Sequence, residues 1–128
     1  MTSAVGRLLA TARTRISVVD AVTTYRWVGD GALLVDTRPG WQRQQFGVIA
    51  GAIVIERNHL EWRLDRTGNH QHPVADAHRG PIVVLCQEGY SSSIAVASLV
   101  DMGVSDVHEL EGGFDAWVAA GLPFIPGG

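Results

Sequence analysis

The chain has 128 residues, 46% of them hydrophobic, and a formal net charge of −3. That size fits one domain around a single core, the composition excludes a disordered chain, and the acidic balance leaves no basic surface for nucleic acid or an anionic membrane. Its single cysteine excludes an intramolecular disulfide and argues against zinc on thiolates, and no apolar run approaches the ~20 residues that span a bilayer.

Residues 1–15 read as an N-terminal extension, with Val5, Leu8, Leu9 and Ala12 on one side of a helix over residues 3–13. The extension lacks the long apolar core and small-residue cleavage site of a secretory signal, so a reducing cytoplasm is expected. Residues 18–27 predict a second helix, with Ser17 as N-cap, Asp20 as a shortened capping-box acid and Gly29-Asp30-Gly31 as the break. Residues 32–35 form the first buried strand, which closes in Asp36-Thr37-Arg38-Pro39. Pro39 opens a helix running to residue 45, because its missing N–H falls where no intrahelical bond is due. A glycine-punctuated turn leads into a second strand over 52–55, and residues 58–64 predict a short helix with Leu60 and Leu64 inward. Residues 65–80 are the longest polar stretch and read as a surface loop with a helical turn near 75–78.

The chain is organised around residues 81–100. Residues 82–85, Ile-Val-Val-Leu, have the unbroken apolar pattern of a strand buried on both faces of a parallel sheet. Cys86 ends that strand, and residues 94–100 start a helix for which Ser91 or Ser92 is the expected cap. Gly103 ends this helix, residues 107–110 make another strand, Gly112-Gly113 turns the chain, and residues 114–120 form a final helix stopped by Gly121 and Pro123. Strands alternating with helices imply one α/β domain over 1–128 with a mainly parallel sheet, whose ligands bind beyond the carboxyl ends of the strands.

Cys86 stands at such an end, facing unpaired N–H groups where a helix begins, and that environment favours the thiolate. Successive N–H groups from Gln87, Glu88, Gly89, Tyr90, Ser91 and Ser92 are expected to form an anion nest, with Gly89 supplying the turn and the serines adding hydroxyl donors. A lone cysteine is more often a small buried hydrophobe; here its place in the loop favours a nucleophile. His70 and His72 form a His-x-His pair in a polar loop without thiolate or carboxylate ligands, which reads as solvated loop and not as a metal site; His59, His78 and His108 are isolated. Trp41, Trp62 and Trp117 are expected in the core or a pocket wall, Trp27 at the end of a helix, and the exposed tip of Tyr90 on the approach to Cys86.

Four separated stretches carry a family resemblance. Leu33-Leu34-Val35-Asp36-Thr37-Arg38 is similar to the strand ending in Asp-x-Arg of the rhodanese family. Phe46-Gly47-Val48-Ile49-Ala50-Gly51-Ala52 resembles its Gly-His-Ile-Pro-Gly-Ala turn, with Val48 for His and Ala50 for Pro. The loop from Cys86 to Ser91 resembles its six-residue active-site loop. Leu110-Glu111-Gly112-Gly113-Phe114-Asp115-Ala116-Trp117, continuing to Gly121-Leu122-Pro123, resembles its C-terminal signature. The resemblance spans residues 16–126, and four motifs in the right order and spacing make it specific.

What the resemblance implies is a single rhodanese domain: a mainly parallel sheet of about five strands with helices on both faces. It further implies a sulfurtransferase in which Cys86 carries a persulfide between a sulfane donor (thiosulfate or a persulfide) and a thiol, cyanide or protein acceptor, with no metal or organic cofactor. Asp36 and Arg38 are expected to brace the loop through hydrogen bonds. The loop carries one carboxylate, Glu88, and no cation, so a persulfide is the expected donor ahead of dianionic thiosulfate; Arg43 and Arg57 are the candidate compensating cations. Related phosphatases place an arginine at the sixth position after the cysteine to grip an oxyanion, and here that position is Ser92. The alternative to the enzyme is a non-catalytic rhodanese-like module for partner binding or redox sensing.

Overall fold

The computed structural model describes residues 3–128. Its strands are β1 (Ser17–Val19), β2 (Leu33–Asp36), β3 (Ile53–Val54), β4 (Ile82–Leu85) and β5 (Val107–Leu110). They form one sheet in the order β1-β5-β4-β2-β3 with every pairing parallel. The helices are α1 (Ala4–Arg13), α2 (Ala21–Gly29), α3 (Gly40–Phe46), α4 (Leu60–Leu64), α5 (Pro73–Ala77), α6 (Ser91–Asp101) and α7 (Gly113–Ala119), with a 3-10 turn at Arg57–His59 before α4.

The aliphatic runs that form β2 and β4 are buried along their whole length, as expected of central strands covered on both faces. Alternate residues sort into two apolar layers. Leu33, Val35, Ile82, Val84 and Val107 pack against Ala95, Val96 and Leu99 of α6 and Leu60 and Leu64 of α4. Leu34, Val83, Leu85 and Leu110 pack against Ala21 of α2 and Phe114 and Trp117 of α7. On the first of these faces α1 lies against α6, which brings the end of α1 to the end of β4. Among the described residues no helix is long and apolar enough to cross a membrane.

Three expectations give way to the structure. Ser17 does not cap a helix: it opens β1, where Val18 and Val19 pair with β5 as a parallel edge, and Asp20 is the N-cap of α2, accepting the Thr23 N–H at 2.7 Å. Two β-branched residues next to a strand partner outweighed a capping pattern that fits either position. Trp41 and Trp62 are not core residues; each is 61% exposed, whereas Trp117 is buried. Neither Ser91 nor Ser92 caps α6, whose N-cap is Tyr90 without a side-chain bond. The polar stretch 65–80 contains α5, opened by Pro73 and capped by the His72 ring, which accepts the Val74 N–H at 3.2 Å. Burial, then the nearby Arg63 charge, pushes the His72 pKa down, so the ring stays the neutral acceptor that this cap needs.

Candidate active site

Cys86 follows the last residue of β4, between the ends of β2 and β5, and is buried. Its Sγ receives the backbone N–H of Gly89 at 3.1 Å and lies 3.1 Å from Ser92 Oγ. Among the described contacts, Gly89 supplies the one backbone N–H that reaches the sulfur. Gly89 has φ +91°, and a Cβ there would stand 2.9 Å from the Gly112 nitrogen. The turn that aims this N–H at sulfur therefore needs glycine on two counts, backbone sign and space.

The Gly112-Gly113 turn and α7 hold the loop from one side. Phe114 N–H donates to the Cys86 carbonyl at 2.9 Å and Asp115 N–H to the Gln87 carbonyl at 3.0 Å. Any side chain at Gly113 would collide with those same carbonyls. The Gln87 side chain is buried and used structurally: its Nε2 donates to Asp115 Oδ1 at 2.6 Å, and its Oε1 accepts from Arg38 Nη1 at 3.0 Å. Arg38, 1% exposed, also donates to Asp36 Oδ2 and to the Gly47 carbonyl, each at 2.8 Å, and lies 4.1 Å over the Phe114 ring. Asp36, Arg38 and Gln87, all buried, thus form one chain that ends on the exposed Asp115 and links the ends of β2 and β4 to α7. Thr37 Oγ1 adds a bond to the Leu85 carbonyl at 2.7 Å.

A second polar cluster lies behind the sulfur. Ser92 Oγ donates to Glu109 Oε2 at 2.5 Å, and Ser93 Oγ lies 2.8 Å from Oε2 and 2.9 Å from Oε1. Arg13, at the end of α1, donates through Nε to Ser93 Oγ at 3.1 Å and through Nη2 to the Gly89 carbonyl at 3.0 Å, with its guanidinium 5.8 Å from the Tyr90 ring centroid. Burial raises the Glu109 pKa above its ordinary value, against the lowering effect of the two serine hydroxyls and the Arg13 charge; Glu111 adds to the rise.

The remaining predicted loop residues form the rim: Glu88, Tyr90 and Ser91 are exposed. Arg43 pairs with Glu56 at 3.4 Å and donates to the Arg38 carbonyl, and Arg57 pairs with Glu61 at 2.9 Å. The hydrogen bonds of both cations thus go to residues outside the loop. Among the described residues, no cluster of three or more His, Cys, Asp or Glu side chains has the arrangement of a metal site.

Sequence reasoning missed Arg13, Ser93 and Glu109. For Glu109 a signal existed, since alternation from Val107 turns it inward, where a carboxylate is rare unless partnered. For Arg13 none did, because only the packing of α1 on α6 brings it to a loop 76 residues away.

A family model described as rhodanese-like domain matches residues 20–120. Thiosulfate sulfurtransferase GlpE of Pseudomonas putida is 39% identical over 95 residues, covering 70% of this chain and 73% of that one. A structure from Rhodopseudomonas palustris, described as a protein of unknown function and possible tyrosine phosphatase, matches with a TM-score of 0.85 at 26% identity, covering 97% of this chain and 96% of that one. Thiosulfate sulfurtransferase from Pseudomonas aeruginosa matches with a TM-score of 0.69 at 28% identity, over 88% of this chain and 20% of that one. The sheet order, the cysteine loop and the glycine turn that holds it fall within residues 17–113, almost all of which the family model spans, and on these grounds the chain belongs to the rhodanese-like family.

Proposed function

We propose that this protein is a sulfurtransferase in which Cys86 receives a sulfane sulfur from a donor and passes it to a thiol or cyanide acceptor. The observation that carries this reading is the Gly89 backbone nitrogen held 3.1 Å from Cys86 Sγ, in a loop whose start is tied to α7 by hydrogen bonds from Gln87 and from the Phe114 and Asp115 N–H groups. The thiolate attacks the sulfane sulfur of the donor; an S–S bond forms at Sγ as the donor's own bond to that sulfur breaks, and sulfite or a thiolate leaves with the electron pair. An acceptor thiolate then attacks the outer sulfur, and Cys86 leaves as thiolate. The sulfur changes hands without an external oxidant, reductant, metal or organic cofactor.

The residues that serve this chemistry are Cys86 as nucleophile, the loop of Gln87, Glu88, Gly89, Tyr90, Ser91 and Ser92 around it, and Asp36 and Arg38 as the brace beneath. Glu88 is the one charged side chain of the loop itself, and it repels a dianion; Arg43 and Arg57 are engaged by Glu56 and Glu61, and Arg13, the cation beside Tyr90, by the Gly89 carbonyl and Ser93. A low-molecular-weight or protein persulfide is therefore the favoured donor, and a reducing cytoplasm the setting in which such donors and a lone thiol coexist. Phosphatase chemistry is disfavoured because Ser92 takes the arginine position and its hydroxyl is committed to a buried carboxylate.

Intact-mass measurement after incubation with thiosulfate or with glutathione persulfide tests the reading. A gain of one sulfur atom, absent in Cys86→Ser and lost on adding an acceptor thiol, supports transfer. A protein that gains no sulfur from either donor is a binding or redox-sensing module instead. Steady-state kinetics with thiosulfate far ahead of glutathione persulfide would overturn the choice of donor alone.

A further inference from the structure

We infer that Glu109, acting through the Ser92 hydroxyl, is the internal proton acceptor for the Cys86 thiol. The inference rests on Cys86 being the reacting group, and it concerns how that group becomes ionised. Two partners approach Sγ within hydrogen-bond distance among the described residues. One, the Gly89 N–H, only donates. The other, Ser92 Oγ, has a single proton, and at 2.5 Å that proton belongs to the bond with Glu109 Oε2. Ser92 therefore turns a lone pair toward the sulfur, and the thiol S–H donates into it.

From this arrangement one concerted shift makes the nucleophile. The Sγ proton passes to Ser92 Oγ as the Ser92 proton passes to Glu109 Oε2. No bond between heavy atoms changes and no charge is created, because one anion is replaced by another. Afterwards Ser92 points its O–H at the sulfur anion, and the buried carboxyl is neutral. The reverse shift serves the transfer step: as Cys86 leaves the persulfide, Glu109 returns its proton through Ser92 to the departing sulfur.

The surroundings fit an acceptor and not a permanent anion. Glu109 is 3% exposed, and its partners from α6 are neutral hydroxyls. The charged or titratable groups that bear on it are Arg13 from α1, Glu111 just past the end of its own strand, and Cys86 at the end of β4. Arg13 reaches it through Ser93, whose hydroxyl spans both carboxylate oxygens and fixes their plane, while Ser92 makes the shorter contact with Oε2. Burial raises the Glu109 pKa above its ordinary value, which suits a carboxyl that takes up a proton.

A purely structural Glu109 would anchor the start of α6 and leave the Cys86 titration with one step. A shared proton gives two. The test follows thiolate absorbance, with Cys86→Ser as blank, and alkylation rate against pH in the full chain, Glu109→Gln and Ser92→Ala. The expected result is a two-step titration in the parent, with a partial thiolate plateau between the steps, that collapses to one step in each variant. A single step in the parent overturns the proposal whatever the variants do, so the outcome does not depend on their folding. A two-step parent whose lower step survives Ser92→Ala overturns it as well. Sulfur uptake is read separately by mass, so a protein that titrates in two steps yet takes no sulfur would sink the transferase and keep the relay.

Discussion

Arg13 Nη2 donates to the Gly89 carbonyl at 3.0 Å, joining a helix outside the matched family region to the residue that supplies the sulfur with its backbone N–H. Because the same guanidinium holds Ser93 through Nε, it sets both the loop and the first turn of α6. The side chain is exposed, so its share of global stability is expected to be about 1 kcal/mol or less. Arg13→Ala is predicted to leave chemical denaturation nearly unchanged and to slow sulfur loading of Cys86 about fivefold, the rate equivalent of about 1 kcal/mol of lost loop order. Arg13→Lys should restore little, since one ammonium cannot span two acceptors in a fixed fork. Loading at the parent rate in Arg13→Ala would remove α1 from the mechanism.

Arg38 carries the opposite balance, with nearly all of its cost in stability. Arg38→Met leaves Asp36 buried at 2% exposure and removes the donor to Gln87 Oε1. An orphaned buried charge costs about 3–5 kcal/mol, which urea denaturation would read as a large fall in midpoint. The double variant Asp36→Leu/Arg38→Met is expected to recover a substantial part of that loss, because it removes the uncompensated carboxylate. Equal destabilisation by the single and double variants would show that Arg38 acts mainly by packing on Phe114.

The sequence made the central strands and the cysteine loop legible because each is local. An aliphatic run such as Ile82–Leu85 has one stable environment, and a glycine four residues beyond a strand end has few uses. β1 was not legible. Val18 and Val19 become a strand only because β5 offers them an edge, and nothing nearby records that. Local pattern also misled at Ser92, whose place at a helix start suggested a cap, while a carboxylate on a neighbouring strand takes its proton. Trp41 and Trp62 were misplaced because large aromatics are buried on average, and an average says little about a residue on a short helix with one covered face. The Gln87 side chain, whose backbone N–H alone was read as part of the anion nest, bridges Arg38 and Asp115, a role that needs three distant segments in place.

Gly89→Ala separates the nest from the rest of the loop. At φ +91° an alanine is strained, and its Cβ would press on the Gly112 nitrogen at 2.9 Å. Left-handed strain alone costs about 1–3 kcal/mol, and relief requires the 89 N–H to swing away from sulfur. The variant is expected to fold with a lowered Tm, retain a thiol that alkylates more slowly than the parent's, and load sulfur at least about tenfold more slowly. Parent-like loading at neutral pH would mean that the Gly89 N–H is dispensable and the sulfur is held chiefly by Ser92.

Two carboxylates, the half-buried Glu61 and the buried Glu109, give stability opposite pH dependences. For Glu61, burial pushes the pKa up, but the Ser98 hydroxyl, a backbone hydrogen bond and Arg57 outweigh it, so the folded value lies below the ordinary 4.5. The folded state then holds fewer protons than the unfolded chain in that range, and stability present above pH 4.5 is lost as pH falls through the folded pKa. Glu109 works the other way. Its folded pKa is raised by burial, so the folded state keeps a proton that the unfolded chain has lost, and stability drains away as pH rises from 4.5 through the folded value. Measured in a Cys86→Ser background, which keeps the thiol from sharing the proton, Glu109→Gln is predicted to gain on its parent steadily as pH rises through this window. Glu61→Gln is predicted to lose its deficit as pH falls below 4.5. Urea denaturation across pH reads both slopes, and a Glu109→Gln difference that stays constant with pH would show the Glu109 carboxyl to titrate alike in the folded and unfolded chains.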